Sequence, residues 1–132
     1  MIEVYIDGAS AGNPGPSGAG IFIKGQGIHE KHAIPLGVIS NHEAEFHALI
    51  KALEICLENN YKAVSFRTDS ELVNRAVEKE FAKNKQFAPL LDNALLLSKR
   101  FELFFMKWIP SRENKVADEL ARKAIRANKL EE

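Results

Sequence analysis

The sequence is poor in several features that mark particular classes of protein. It contains one cysteine, Cys56, which excludes an internal disulfide framework and is typical of a reducing compartment, so the chain is predicted to be cytoplasmic. No apolar run approaches the roughly 20 residues that a membrane-spanning helix needs. The first residues also lack the basic start and the cleavage site of a signal peptide. We therefore expect neither a membrane protein nor a secreted disulfide scaffold.

The chain also lacks net charge, since 18 Lys+Arg balance 18 Asp+Glu. This argues mildly against strong nonspecific binding to nucleic acid, which depends on neutralising phosphates. A neutral total still permits a basic face beside an acidic pocket. With 132 residues, 45% of them hydrophobic, and no repeat or linker, the chain is predicted to be a single domain over 1–132 and a monomer.

The hydrophobic pattern alternates between the period of strands and the period of helices. It predicts a Gly- and Pro-rich loop over 8–18, with strands at 2–7, 19–24, 28–36, 63–68 and 102–109. It predicts helices at 41–59, 70–82 and 87–99, and a last helix from about 111–113. This order indicates an α/β fold with one mixed sheet flanked by helices.

Four acidic residues lie where an ordinary structural acid is unusual. Asp7 ends the first predicted strand and precedes Gly8, and Asp69 directly follows the fourth strand. Glu45 lies one turn into the first helix, and Asp118 lies near the start of the last one. Alanines flank both helical acids and would let those helices approach the sheet closely. The four carboxylates are therefore expected to converge at one edge of the sheet.

A confined cluster of carboxylates needs cations, because like charges raise one another's pKa. Mg²⁺ or Mn²⁺ takes carboxylate oxygen readily. Two such ions about 4 Å apart activate water and stabilise the leaving oxygen of a phosphodiester. The cluster thus predicts a nuclease site in which the metal ions do the chemistry.

Each acid also has an ordinary structural interpretation when it is taken alone. Asp7 with Gly8 is compatible with a turn, and Asp69 with a cap on the helix that follows. Glu45 is compatible with a solvated helix position, and Asp118 with a residue that complements the helix dipole. The functional interpretation depends on the four occurring together, in order, with their flanking residues.

The flanking residues resemble the motifs of type 1 ribonucleases H. Residues 7–15, Asp-Gly-Ala-Ser-Ala-Gly-Asn-Pro-Gly, resemble the opening of that family. Residues 40–45 resemble its entry into the first helix, residues 68–70 its Thr-Asp-Ser, and residues 114–121 its Asn-x-x-x-Asp-x-Leu-Ala. The resemblance runs from residue 2 to about residue 125. It implies a five-stranded mixed sheet flanked by helices and cleavage of the RNA strand of RNA–DNA hybrids.

The resemblance also implies roles for single residues. It makes Asp7, Glu45, Asp69 and Asp118 the catalytic ligands of two Mg²⁺ or Mn²⁺ ions. Residues implied to contact the hybrid include Asn13 and Asn41 in its minor groove, where the RNA 2′-hydroxyl is recognised. Their ordinary structural roles are a turn residue and a helix cap. The other implied substrate-binding residues are Gly8, Ser10, Ser70 and Arg112.

Four departures from the family pattern concern substrate handling. Residues 108–114 are shorter than the family's His-bearing loop and contain no histidine, so Arg112 is the candidate for a compensating role beside its alternative as a solvated arginine. Residues 76–100 lack the basic, Trp-containing handle and hold only scattered lysines. Glu71 replaces a glutamine, and His42 replaces an asparagine. We therefore expect weak or salt-sensitive binding of hybrids.

Other motifs favour no rival chemistry. Residues 12–18 lack the lysine and spacing of a P-loop, and the four histidines lack zinc-ligand spacing. Cys56 is predicted to lie in the core and Trp108 to pack within its strand. The alternative to an active nuclease is a weak or inactive ribonuclease H-like module that binds hybrid or structured nucleic acid. A fold that serves only a protein partner is less compatible with four retained carboxylates.

Overall fold

The chain forms one five-stranded sheet with helices on both faces. The computed structural model describes the backbone of residues 1–131 and the side chains of residues 1–127. The strands are β1 Ile2–Ser10, β2 Gly15–Gly25, β3 Ile28–Ile39, β4 Ala63–Thr68 and β5 Leu103–Trp108. The helices are α1 Asn41–Glu58, α2 Glu71–Lys79, α3 Ala88–Ser98 and α4 Lys115–Glu131, with a 3-10 turn at Ser111–Glu113.

The sheet is mixed, as expected, and its strand order is β3-β2-β1-β4-β5. β1 pairs with β2 in antiparallel fashion and with β4 in parallel, while β2–β3 is antiparallel and β4–β5 parallel. The carboxyl ends of β1 and β4 therefore meet at the same edge of the sheet. Asp7 and Asp69 lie at that edge.

Period-2 alternation in β1 divides the sheet into two faces. Ile2, Val4 and Ile6 are buried in the core, on the face against which α1 packs. The opposite face carries Tyr5 and Asp7, and α4 packs there against β1, β2 and β3. The two helices that carry acidic site residues thus lie on opposite faces of the strand that carries Asp7.

The predicted loop over 8–18 is wrong at both of its ends. β1 continues to Ser10 and β2 begins at Gly15, so only residues 11–14 form the turn. The glycines in this stretch do not interrupt the sheet. Gly8 allows α1, and Gly18 allows α4, to approach the sheet closely.

The remaining boundaries differ by a few residues from their predictions. The last helix begins at Lys115, because Ser111–Glu113 forms a 3-10 turn, and α2 ends at Lys79. Among the described helices, none is long and apolar enough to cross a membrane.

Candidate active site at the junction of β1, β4, α1 and α4

Asp7 lies at the centre of the four acidic residues. Its carboxyl group is largely buried and interacts electrostatically with Asp69, Asp118 and Glu45, and it hydrogen-bonds to Asp118. Burial first, and then these neighbouring carboxylates, raise the pKa of Asp7 to about 9. Burial and the neighbouring carboxylates thus both disfavour the ionised form of Asp7 in the metal-free protein.

Glu45 approaches Asp7 because residue 8 is glycine. A Cβ atom at Gly8 would lie 2.1 Å from the carbonyl oxygen of Ala44 and 2.5 Å from the amide nitrogen of Glu45. Only glycine leaves room for α1 at this distance from β1. The resemblance implied that Gly8 contacts the hybrid; in the structure, α1 occupies the space that a side chain at this position would fill.

The start of α1 is fixed by a capping box. Ser40 is the N-cap, and its hydroxyl accepts a hydrogen bond from the Glu43 amide while the Glu43 side chain accepts from the Ser40 amide. The alternative role of Asn41 as the helix cap is therefore wrong. Its backbone amide instead donates to Asn13 Oδ1 at 3.0 Å.

Two neighbours hold the Glu45 carboxylate. His42 Nδ1 lies 2.7 Å from Glu45 Oε1, and Ser70 also hydrogen-bonds to the Glu45 side chain. Burial raises the pKa of Glu45, while the hydrogen bonds from His42 and Ser70 act in the opposite direction. Glu45 is thus oriented towards β4 by one residue of its own helix and one of the β4–α2 junction.

Asp69 does not cap α2, which is the structural role that its position in the sequence allows. The cap of α2 is Ser70, whose hydroxyl accepts a hydrogen bond from the Val73 amide at 3.2 Å. The Asp69 backbone carbonyl accepts a hydrogen bond from the Trp108 indole at 3.1 Å. Trp108, predicted to pack within its strand, is instead 43% exposed and braces the backbone of a site residue.

Asp118 reaches the site because α4 lies almost on the backbone of β2. A Cβ atom at Gly20 would lie 1.9 Å from the Ala117 carbonyl oxygen, and one at Gly18 2.5 Å from that of Ala121. Gly20 is the register partner of Asp7 in the sheet. The absence of a side chain there brings the first turn of α4 onto Asp7.

Asp118 is also the one acid of the four that forms a described ion pair with an arginine or a lysine. Arg122 Nε lies 3.1 Å from Asp118 Oδ2, one helical turn away. Arg122 is mostly exposed, so this pair is worth little to stability.

Among the described residues, no group of three or more His, Cys, Asp or Glu side chains is already arranged to hold a metal ion. The donor set nevertheless fits divalent cations, because four carboxylates interact across one junction and one of them carries a raised pKa that a cation would reverse. The residues present are hard oxygen donors, which suit Mg²⁺ or Mn²⁺.

The residues implied to contact a hybrid are brought together in part. Asn13, in the turn after β1, and Asn41, at the start of α1, are exposed and joined by their hydrogen bond. The Ser10 hydroxyl is committed to the same turn, since it donates to the carbonyl oxygens of Gly12 and Ile39. Ser10 therefore shapes the turn that presents Asn13.

The two remaining candidates occupy different places. Ser70 contacts Glu45 and lines an open groove of about 1170 Å³ that also includes Asp69 and runs between the start of α1, α2 and the segment 81–87. Arg112 is exposed on the 3-10 turn and lines a separate cavity of about 190 Å³ on the α4 face of the sheet. The structure thus does not bring Arg112 into the groove that holds Glu45 and Asp69.

Comparison with known proteins gives the family. A family model described as "Reverse transcriptase-like" matches residues 5–124. The Enterococcus faecalis protein named "Putative hydrolase EbsB" is 44% identical over 128 residues, which cover 95% of this chain and 94% of that protein. Ribonuclease HI of Halobacterium salinarum is 32% identical over 130 residues, which cover 94% of this chain and 64% of that protein. The chain belongs to the ribonuclease H family.

Solved ribonuclease H structures superpose on nearly the whole chain. RNase H1 of the archaeon Halobacterium salinarum matches with a TM-score of 0.89 and 30% identity, over 96% of this chain and 98% of that chain. LC11-RNase H1, solved in complex with an RNA/DNA hybrid, matches with a TM-score of 0.87 and 29% identity, over 96% and 98% of the two chains. The predictions of the fold and of a ribonuclease H endonuclease are therefore confirmed, and this family is generally dependent on divalent metal ions.

Sequence reasoning missed two polar residues of this ribonuclease H site. His42 was noted only as a departure from the family pattern, yet it contacts Glu45. Asn114 was only part of a motif, yet its side-chain Nδ2 donates to the Ile6 carbonyl at 2.8 Å. Its backbone carbonyl accepts a hydrogen bond from the Asp118 amide. Asn114 thereby ties the start of α4 to the residue before Asp7. Its position four residues before Asp118 was the available signal.

Proposed function

We propose that this ribonuclease H cuts the RNA strand of RNA–DNA hybrids at the junction of Asp7, Glu45, Asp69 and Asp118, with two Mg²⁺ or Mn²⁺ ions held by these carboxylates. The observation that carries the proposal is the convergence of Glu45, Asp69 and Asp118 on the largely buried carboxyl group of Asp7, whose pKa burial and these three acids raise and which no described cation neutralises. A structural acid in such a place would cost stability without return. When bound, the ions would activate water and neutralise the charge on the phosphodiester.

The protein's own groups prepare this chemistry. Asp7 must release its proton before it can act as a ligand, so ion binding and deprotonation are coupled. His42 and Ser70 fix the orientation of Glu45, while Asn114 fixes the helix that carries Asp118. The carboxylates are thus supported on rigid elements rather than on loops.

The neighbouring surface fits a nucleic-acid duplex. The linked pair Asn13 and Asn41 presents exposed amide groups suited to base edges and ribose hydroxyls in a minor groove. The groove next to Asp69 is lined by three cations, Arg75, Lys79 and Lys83. Glu71 lines the same groove, where its charge would repel a phosphate. Arg75 lies 4.0 Å from Glu71 and partly offsets this repulsion. We expect modest, salt-sensitive affinity.

A weak or inactive hybrid-binding module is the second candidate. It is favoured by the lack of a ready-made metal group among the described residues and by the place of Arg112 outside the groove. In that case Asp7 would stay protonated and the groove would hold a hybrid without turnover. Cytoplasmic location and a monomeric state remain predictions under either candidate.

The test is cleavage of a strand-labelled RNA–DNA hybrid, with Mg²⁺ and Mn²⁺ supplied separately. We expect cuts in the RNA strand alone, their loss in Asp69→Asn, and full retention in Asp92→Asn, which makes the same chemical change on the exposed surface of α3. Folded protein that binds the hybrid but does not cut it with either ion would favour the second candidate.

A further inference from the structure

The α4 face of the sheet is only partly covered. α4 packs on β1, β2 and β3, and the part of this face formed by β5 is open to solvent. Leu103 and Phe105, whose side chains alternate onto this face, are 49% and 51% exposed. Large apolar groups in such an open position are unusual unless they contact something.

A row of side chains crosses this face over all five strands. The register places Lys107 of β5 beside Arg67 of β4, Arg67 beside Tyr5 of β1, Tyr5 beside Phe22 of β2, and Phe22 beside Lys31 of β3. We call these five residues the cross-sheet row. With strands about 4.8 Å apart, it extends over about 19 Å and places two aromatic rings between cations.

The two aromatic rings are held in place by their neighbours. The centroids of the Tyr5 and Phe22 rings are 5.7 Å apart. Lys24 Nζ lies 5.4 Å from the Tyr5 ring centroid, and the Arg67 guanidinium carbon also lies 5.4 Å from it. Arg67 Nη1 forms an ion pair with Glu3 Oε1 at 2.5 Å. In the part of the chain whose side chains are described, Lys31 and Lys107 have no ion-pair partner and are exposed.

A small cavity adjoins the row below the start of α4. Its volume is about 190 Å³, and it is lined by Tyr5, Phe22 and Lys24 on the sheet and by residues 112–117 above them. Asn114 belongs to this lining, and its Oδ1 is the one buried side-chain polar atom among the described residues without a hydrogen-bond partner. A buried acceptor of this kind calls for a donor.

We propose that the cross-sheet row and this cavity bind single-stranded RNA, at a second site beside the cleavage site. Aromatic rings flanked by cations are the combination that single strands use, because bases stack on the rings while phosphates meet the cations. A duplex offers no free base faces for stacking. Asn114 Oδ1 has almost no accessible surface, so a ribose 2′-hydroxyl would reach it only if the lining of the cavity opened, and that contact would favour RNA over DNA.

The position of the row gives the site a use. Tyr5 precedes Asp7 by two residues on the same face of β1, so the row lies beside the acidic cluster where we propose that the RNA strand is cut. The row would hold the single-stranded part of an RNA that is paired with DNA only over part of its length. Binding at this site requires neither metal ions nor cleavage, so it goes beyond the function proposed above and stands apart from it.

The test is fluorescence anisotropy of a labelled oligouridylate of about 12 nucleotides, measured with EDTA and at about 50 mM salt. We compare the unmodified chain with Lys31→Glu/Lys107→Glu, which reverses both ends of the row, and with Tyr5→Leu, which removes a ring but keeps apolar bulk. Lys62→Glu/Lys123→Glu makes the same charge change at exposed positions outside the row. Circular dichroism establishes that each variant is folded, and Phe22→Leu, which removes the other ring of the row, replaces Tyr5→Leu if the latter unfolds.

We expect the unmodified chain and the control to bind alike, and both row variants to bind at least about 10-fold more weakly. Unchanged binding in Lys31→Glu/Lys107→Glu would overturn the site. Full binding by the folded ring variant would overturn the stacking component and leave a surface suited to an acidic protein. Equal binding of an oligothymidylate of DNA would overturn the preference for RNA. Since no cleavage is measured, none of these outcomes bears on the catalytic carboxylates.

Discussion

Two carboxylates on one face of β1 have opposite environments. Glu3 accepts hydrogen bonds from Tyr5 at 2.8 Å and from Arg67 at 2.5 Å, and these contacts lower its pKa. Asp7, further along the same face, is surrounded by Asp69, Asp118 and Glu45, and its pKa is raised to about 9. The strand, the face and the chemical group are the same, while the partners differ.

The difference separates an acid that stabilises the fold from one that we propose binds metal ions. The protein places a guanidinium and a phenol around Glu3, so its charge is matched inside the fold. Around Asp7 it places more acid and no described cation, and glycines at positions 8 and 20 draw two further carboxylates towards it. Such an arrangement is stable in use only with cations from solution.

Asp7→Asn should have the largest effect and act in opposite directions on activity and stability. Cleavage of the hybrid should fall at least about 1000-fold, or about 4 kcal/mol, because a ligand oxygen is lost. The metal-free protein should become more stable by about 1–3 kcal/mol at neutral pH, because a neutral amide replaces an acid that must be protonated to stay buried. Cleavage assays and thermal melts in EDTA measure the two effects. A less stable variant would mean that Asp7 has a structural role like that of Glu3.

Gly20→Ala should disrupt the acidic cluster without changing any charge. The added methyl group would lie 1.9 Å from the Ala117 carbonyl oxygen, so α4 must move away from β2 and take Asp118 with it. We expect a loss of about 1–3 kcal/mol in the free energy of unfolding. A displacement of about 1 Å at a catalytic group also predicts about 100-fold slower cleavage. Denaturant titration and cleavage rates provide the check; unchanged values for both would refute the close-packing argument.

The pH dependence of stability should distinguish the two environments next. A folded-state pKa above the unfolded one means that the native state binds more protons, so burial of Asp7 costs progressively more stability as the pH rises from about 4 to about 9. Metal-free protein should therefore lose stability between about pH 7 and about pH 8.5, a window above the range of histidine titration. Asp7→Asn should show a flatter profile there in thermal melts, and parallel profiles would contradict the assignment.

Glu3→Gln should have the smallest effect and only on stability. Arg67 would lose a charged partner while its side chain stays mostly buried. Since Glu3 is itself partly exposed, solvent screening limits the loss to about 1 kcal/mol. The pKa of Glu3 is lower in the folded protein than in the unfolded chain, so its charged contacts stabilise the fold only above the pH range in which Glu usually titrates. The difference in stability between Glu3→Gln and the unmodified chain should therefore vanish at acidic pH. Urea denaturation at neutral and acidic pH tests both statements.

The sequence predicted much of the fold and the convergence of the four acids at one junction. Hydrophobic periodicity located every helix and strand, because apolar faces at period 2 or 3.6 are visible in one dimension. The interpretation of residues 8–18 as a loop was wrong because glycine serves two structural roles, in turns and in strands that another backbone approaches closely. Gly8 and Gly18 lie inside strands, where they admit helix backbones. Local sequence cannot distinguish that use of glycine from a turn.

The contacts that support the candidate site could not be predicted from the sequence. Ser70 rather than Asp69 caps α2, and His42 reaches Glu45, both through side-chain directions that spacing alone does not fix. The cross-sheet row depends on strand order and register, which join residues far apart in the chain. These features follow from tertiary pairing rather than from any local pattern.

The most direct test of the central claim is calorimetric titration of Mn²⁺ into the metal-free protein near neutral pH, in two buffers that differ in their enthalpy of ionisation. If the acidic cluster around Asp7 is a metal site, ion binding must expel the Asp7 proton. The measured heat should therefore depend on the buffer for the unmodified chain, and Asp7→Asn should bind more weakly and release no proton. Equal affinity and equal proton release in the two proteins would contradict the account, because the ion would then bind without Asp7.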